Sequence, residues 1–123
     1  MFLSFNSAIS EGLEWTTYGE TSTLWIKIQS PEAVAIWKFH LRGRLNDVVG
    51  RIYNWRLEGS TDNTTWTTLY SATRVYISAS QQFTIADANT VDKYIYFRIY
   101  VVNADSSYPG LTMYQLYAID DLV

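Results

Sequence analysis

Residues 55–66, WRLEGSTDNTTW, constrain the fold of this chain more than any other stretch. Tyr53, Trp55 and Leu57 alternate with Asn54, Arg56 and Glu58, the period-two pattern of a strand with one apolar and one polar face. Gly59, Ser60, Thr61, Asp62 and Asn63 follow as turn formers, because Asp and Asn bond nearby backbone and Gly accepts positive φ. Trp66 then opens a second apolar run through Leu69 and Tyr70. The segment predicts a β-hairpin with an indole near each end, both turned into one core.

The alternation recurs along the chain. Residues 24–29 read as a strand that ends at Ser30-Pro31. In residues 33–42, Ala35, Trp37, Phe39 and Leu41 form an apolar row, and Lys38, His40 and Arg42 share the opposite face, converging toward one strand end. Residues 74–77 and 81–85 alternate in the same way, and residues 111–119 close the domain. In residues 94–102, Ile95, Phe97, Ile99 and Val101 lie opposite Tyr94, Tyr96, Arg98 and Tyr100. The first twenty residues are irregular and read as an edge segment and a loop, with Trp15 and Tyr18 between the turn formers Gly12 and Gly19. With aromatic residues at 16% and many Thr and Ser, the pattern predicts an all-β domain.

Composition narrows the function classes. A chain of 123 residues fits one domain, residues 1–123, whole or cut from a longer polypeptide. The absence of Cys removes disulfides, thiol catalysis and most structural zinc designs. A formal charge of −3 lacks the cationic excess that a phosphate backbone demands, so nucleic acid is not an expected partner. No apolar run is long enough for a membrane span, so insertion into a bilayer is not expected. The N-terminus lacks the basic start and long apolar core of a signal peptide, which predicts cytoplasmic synthesis without one.

With one His, no Gly-rich phosphate cradle and no nucleophile elbow, only carboxylates remain for acid–base chemistry. The adjacent Asp120 and Asp121 do not form the facing pair that glycoside hydrolysis needs. The chain is expected not to be an enzyme. Asn63-Thr64-Thr65 matches a glycosylation sequon, but turn chemistry already accounts for it.

Several segments resemble one family. LEGSTDNTTWTTL is similar to the S-x-D-x-x-x-W hairpin of the discoidin, or coagulation-factor type C, domains, which have a galactose-binding-like fold. WIKIQ resembles that family's W-[IL]-x-[IV]-D-L strand, with Gln29 and Ser30 in place of Asp and Leu. YFRIY resembles its Y-[IV]-R-[IL] strand, and LTMYQLYAI its last strand, with Gln115 in place of Glu. The matches run in order over residues 24–119. The resemblance implies a jelly-roll β-sandwich of about eight antiparallel strands, with Trp25 or Ile26, Trp37, Trp55, Leu57, Trp66, Phe97 and Ile99 in the core. The family's calcium-holding Asp cluster has no counterpart before Trp25, so calcium is not supported and no metal or cofactor is expected.

The resemblance also implies non-catalytic recognition of a cell-surface glycan by loops at one end of the sandwich. The segment HLRGRLNDVVGRI resembles the strand and loop that carry polar ligand contacts in sugar-binding relatives, which points to His40, Arg42, Arg44 and Asp47. Arg is apt because its planar fork donates two parallel hydrogen bonds. Trp15, Tyr18 and Tyr108 supply candidate rings for the apolar face of a sugar. Domains of this style are similar to those on phage tail fibres, which implies a virion or outward-facing location and a homo-oligomer, a trimer among the options. The alternative is an assembly module that packs on neighbouring subunits of a virion or other complex and binds no sugar, since Tyr, Trp and Arg also favour protein interfaces.

Overall fold

The period-two segments become strands because each can bury one face against the same face of an opposing sheet. The structure, a computed structural model, describes residues 2–6, 15–16, 24–43, 52–77, 81–104 and 110–119. The strands are β1 (Phe2–Asn6), β2 (Trp15–Thr16), β3 (Leu24–Val34), β4 (Ile36–Gly43) and β5 (Ile52–Ser60), followed by β6 (Thr67–Thr73), β7 (Gln81–Thr84), β8 (Tyr94–Ala104) and β9 (Gly110–Ala118). One sheet has the order β1-β9-β4-β7, with β2 also paired to β9, and the other has the order β3-β8-β5-β6. Every pairing is antiparallel. This is the galactose-binding-like β-sandwich that the sequence predicts.

Between the sheets, Phe39 and Leu41 from one side meet Trp55, Leu57, Phe97, Ile99 and Val101 from the other, all essentially inaccessible. Phe39 stacks on Phe83 at 5.1 Å and meets the Trp55 indole edge-on at 6.0 Å, geometries that aromatic quadrupoles favour. Polar atoms inside the core are matched. Trp55 Nε1 donates to the Val75 carbonyl at 2.9 Å, and the Tyr114 hydroxyl, on β9, donates to the Phe97 carbonyl on β8 at 2.9 Å, tying the two sheets together. At Gly59 the backbone passes so close to Tyr94 that a Cβ would stand 2.8 Å from its ring.

Three of the expected core indoles face outward. Trp25 is 47% exposed, because Leu24, Ile26 and Ile28 are the β3 residues that face the core. Trp37 is 40% exposed; the β4–β9 register shifts between Ile36 and Lys38, so that Ile36 and Phe39, three apart, both point inward. Trp66 lies just before β6 with its ring against the Arg98 guanidinium, 4.0 Å away. A bulge also removes Tyr53 from the apolar row. The β5–β8 register shifts on both sides of Asn54, so Ile52 and Trp55 are buried while Tyr53 and Asn54 are both half-exposed. Residues 74–77, expected as a strand, instead run beside β5 through two backbone bonds, Val75 N–H to Tyr53 and Ile77 N–H to Ile52.

Candidate functional site

The sandwich has two ends, and the register shows which strand ends share one. Trp15 pairs with Leu111 on one side of β9, and Gly43 pairs with Leu111 on the other. Thr16 pairs with Gly110, and Ile52 pairs with Ala104, the last residue of β8. The end of β2, the end of β4, the start of β5, the end of β8 and the start of β9 therefore lie along one rim. Of the sequence-predicted site residues, Trp15 lies in β2, and His40 and Arg42 lie in β4. Tyr18, Arg44, Asp47 and Tyr108 lie outside the described residues, as does the side chain of Trp15.

Arg42 is half-exposed on β4, one residue before the rim at Gly43. His40 lies one turn of the pleat further from the rim, on the outer face of the five-stranded sheet. Its Nε2 donates to Gln82 Oε1 at 2.9 Å, and its ring packs 5.1 Å from that of Tyr117. His40 and Arg42 thus share a face, as the alternation predicts, but His40 belongs to a surface hydrogen-bond array on the sheet and Arg42 to its border with the rim.

Sequence reasoning missed a cleft at the β5 corner of this rim. Tyr53, Asn54, Arg74 and Tyr76 line a space of about 420 Å³, within the ~300–1,000 Å³ range of small-molecule sites. The rings of Tyr53 and Tyr76 stack at 5.3 Å and 30°, and Tyr76 is 40% exposed. Asn54 holds the corner together: its Oδ1 accepts the Arg74 N–H at 2.9 Å and its Nδ2 donates to Asn103 Oδ1 at 2.8 Å. Arg74 has φ of 59°, a strained value for a residue with a side chain, where the chain leaves β6. The cleft owes its existence to the bulge at Asn54, which no periodicity in the sequence announces.

A second cleft lies on the outer face of the four-stranded sheet, where the 61–66 turn folds back over the strands. Trp25, Lys27, Asn63, Trp66 and Arg98 line about 170 Å³. Lys27 Nζ donates to Asn63 Oδ1 at 2.6 Å and lies 5.0 Å from the Trp25 ring centre. The turn is fastened by Asp62, whose Oδ1 accepts the N–H groups of Thr64 and Thr65 at 2.8 and 2.7 Å and the Ser60 hydroxyl at 3.0 Å. The Thr65 and Thr64 amides, and then the Ser60 hydroxyl, hold the Asp62 pKa down at about 2. Among the described residues no group of three His, Cys, Asp or Glu side chains is gathered to hold a metal ion.

No family model matches the sequence, and no curated protein is similar enough to count as a relative. Solved structures do match the fold. A Clostridium perfringens module, CpGH89CBM32-5 in complex with GalNAc-β-1,3-galactose, superposes with a TM-score of 0.72 at 11% identity, covering 95% of this chain and 94% of that one. The family 32 carbohydrate-binding module of C. perfringens NanJ, in complex with galactose, gives 0.70 at 9% identity, covering 95% and 93%. The family 32 module of AlyQ, in complex with 4,5-unsaturated mannuronic acid, gives 0.66 at 17% identity, covering 85% and 76%. This chain is similar to them in fold.

Proposed function

We propose that this domain is a non-catalytic carbohydrate-binding module that holds a glycan at the rim formed by the ends of β2, β4, β5, β8 and β9. The observation that carries the reading is the shared register of Trp15, Leu111 and Gly43, which brings Trp15 and Arg42 to one border of the sandwich. The Tyr53–Tyr76 cleft opens at the same end. Rings for the apolar face of a pyranose and guanidinium groups for its hydroxyls are the two chemistries that sugar recognition needs, and Tyr76, Arg74 and Arg42 supply them beside the rim. The fold shared with carbohydrate-binding modules supports the same reading.

A rim site buries little area, so one domain binds weakly and attachment depends on several copies acting together. Display as an oligomer on a virion tail or another outward-facing surface is part of this proposal. A glycan array probed with the isolated domain tests it. Binding to a defined subset of glycans is expected, falling about tenfold in Arg42→Ala and Tyr76→Ala, the scale of one lost charge-assisted hydrogen bond or ring contact. Blank arrays together with a tight multimer in native mass spectrometry would instead mark the domain as an assembly module.

A further inference from the structure

The cleft on the four-stranded sheet is lined by two cations and two indoles. The chain carries a net charge of −3, yet this face carries Lys27, Arg56 and Arg98, the two arginines sharing the Glu58 carboxylate. Glu58 is buried and accepts Arg56 Nε on one oxygen at 2.7 Å and Arg98 Nε on the other at 2.6 Å. With the ionised Asp62 on the overlying turn counted beside Glu58, these described residues keep an excess of one positive charge. Glu58 engages Arg98 through Nε, and Trp66 at 4.0 Å fixes the plane of the guanidinium, which lines the cleft. Across the cleft, the Asn63 amide holds the Lys27 ammonium through one of its three protons. Asp62 on the turn stays ionised, with its Oδ1 held by the Thr64 and Thr65 amides.

We infer that this cleft is a second ligand site, distinct from the rim, and that it takes a carboxylated sugar unit of the hexuronate kind. The argument rests on complementarity. Two cations with fixed geometry sit between two indoles, one of them 47% exposed, so a carboxylate can lie between Arg98 and Lys27 while the ring that bears it rests on apolar surface. A neutral sugar would give the Lys27 ammonium no counter-charge, since Asn63 offers it only a neutral oxygen and Glu58 is shared by the two arginines. The 170 Å³ space is small against the ~300–1,000 Å³ of sites for larger ligands, so it takes one acidic unit rather than a chain. Bivalent engagement of an acidic polysaccharide, rim and face together, would raise the avidity of each copy.

The test follows the side-chain N–H signals of the tryptophans in nuclear magnetic resonance spectra during titration with digalacturonate, and separately with digalactose. Saturable movement of the Trp25 and Trp66 signals by digalacturonate alone is expected, with the apparent Kd rising about tenfold in Lys27→Gln. Trp25→Ala, at a position 47% exposed, provides the second variant and is expected to weaken binding several-fold. The inference is overturned if those signals stay still, if digalactose moves them equally, or if dextran sulfate moves them as effectively at equal charge, which would make the face a general polyanion surface. Digalactose binding that moves only rim resonances would leave the proposed function standing while this inference falls on its own result.

Discussion

At the scale of single residues, the most informative side chain is Asp62. It is fully exposed, yet four short hydrogen bonds on and around its carboxylate and Ser60 close the turn that brings Asn63 and Trp66 over the sheet. Because its folded pKa of about 2 lies below the ordinary carboxylate value, its contribution is present above about pH 4 and is lost as pH falls through 2. The urea midpoint of the wild type should therefore fall between pH 4 and pH 2 more steeply than that of Asp62→Asn. The variant should be the less stable protein at pH 7, with the difference closing near pH 2. Equal slopes would mean that the carboxylate does not hold the turn. Asn63, with φ of 63°, occupies a conformation that Asn tolerates better than most residues, which is why a turn former was readable there from the sequence.

At the scale of elements, β5 and β8 carry the load of the four-stranded sheet, and their outer face is a charged ladder. Arg56 and Arg98 share Glu58, and the two guanidinium groups lie 4.5 and 4.9 Å from the Tyr100 ring. Glu58→Ala would strand both arginines, so a loss of about 3 kcal/mol in urea denaturation is expected. That is the low end for breaking a buried pair, because the Arg56 side chain is a third exposed and screened by solvent. A loss under ~0.5 kcal/mol would show that the cluster is merely a surface pair. The apolar row Phe97, Ile99 and Val101 was legible from alternation, but Ile95, expected in the same row, lies outside the core cluster, and Tyr94, expected opposite, packs against it, because the β3–β8 register shifts at that end. The bulges at Asn54 and at Trp37 were not legible, since one extra residue inverts the facing of its neighbours without altering composition. Trp25 and Trp66 illustrate a related limit: an indole counts as core by hydrophobicity, but cations on the outer face give it a second stable place.

At the scale of the whole molecule, function follows from how strands distant in sequence come to share one end. β4 lies between β9 and β7, and β8 between β3 and β5, so the strands bordering the rim come from both halves of the chain. The jelly-roll class and the one-ended arrangement of Trp15 and Arg42 could be expected from ordered family-like segments, whereas the Tyr53–Tyr76 corner and the cationic face required three-dimensional placement. The central claim is that a glycan is held at this rim, and a backbone amide titration with the glycans that score on the array tests it directly. The account predicts saturable shifts concentrated at residues 15–16, 42–43, 74–77 and 110–111, with Asp87–Asn89 at the opposite end unmoved. Shifts centred on Asp87–Asn89, or a spectrum that stays unchanged with every glycan that scores on the array, would contradict it.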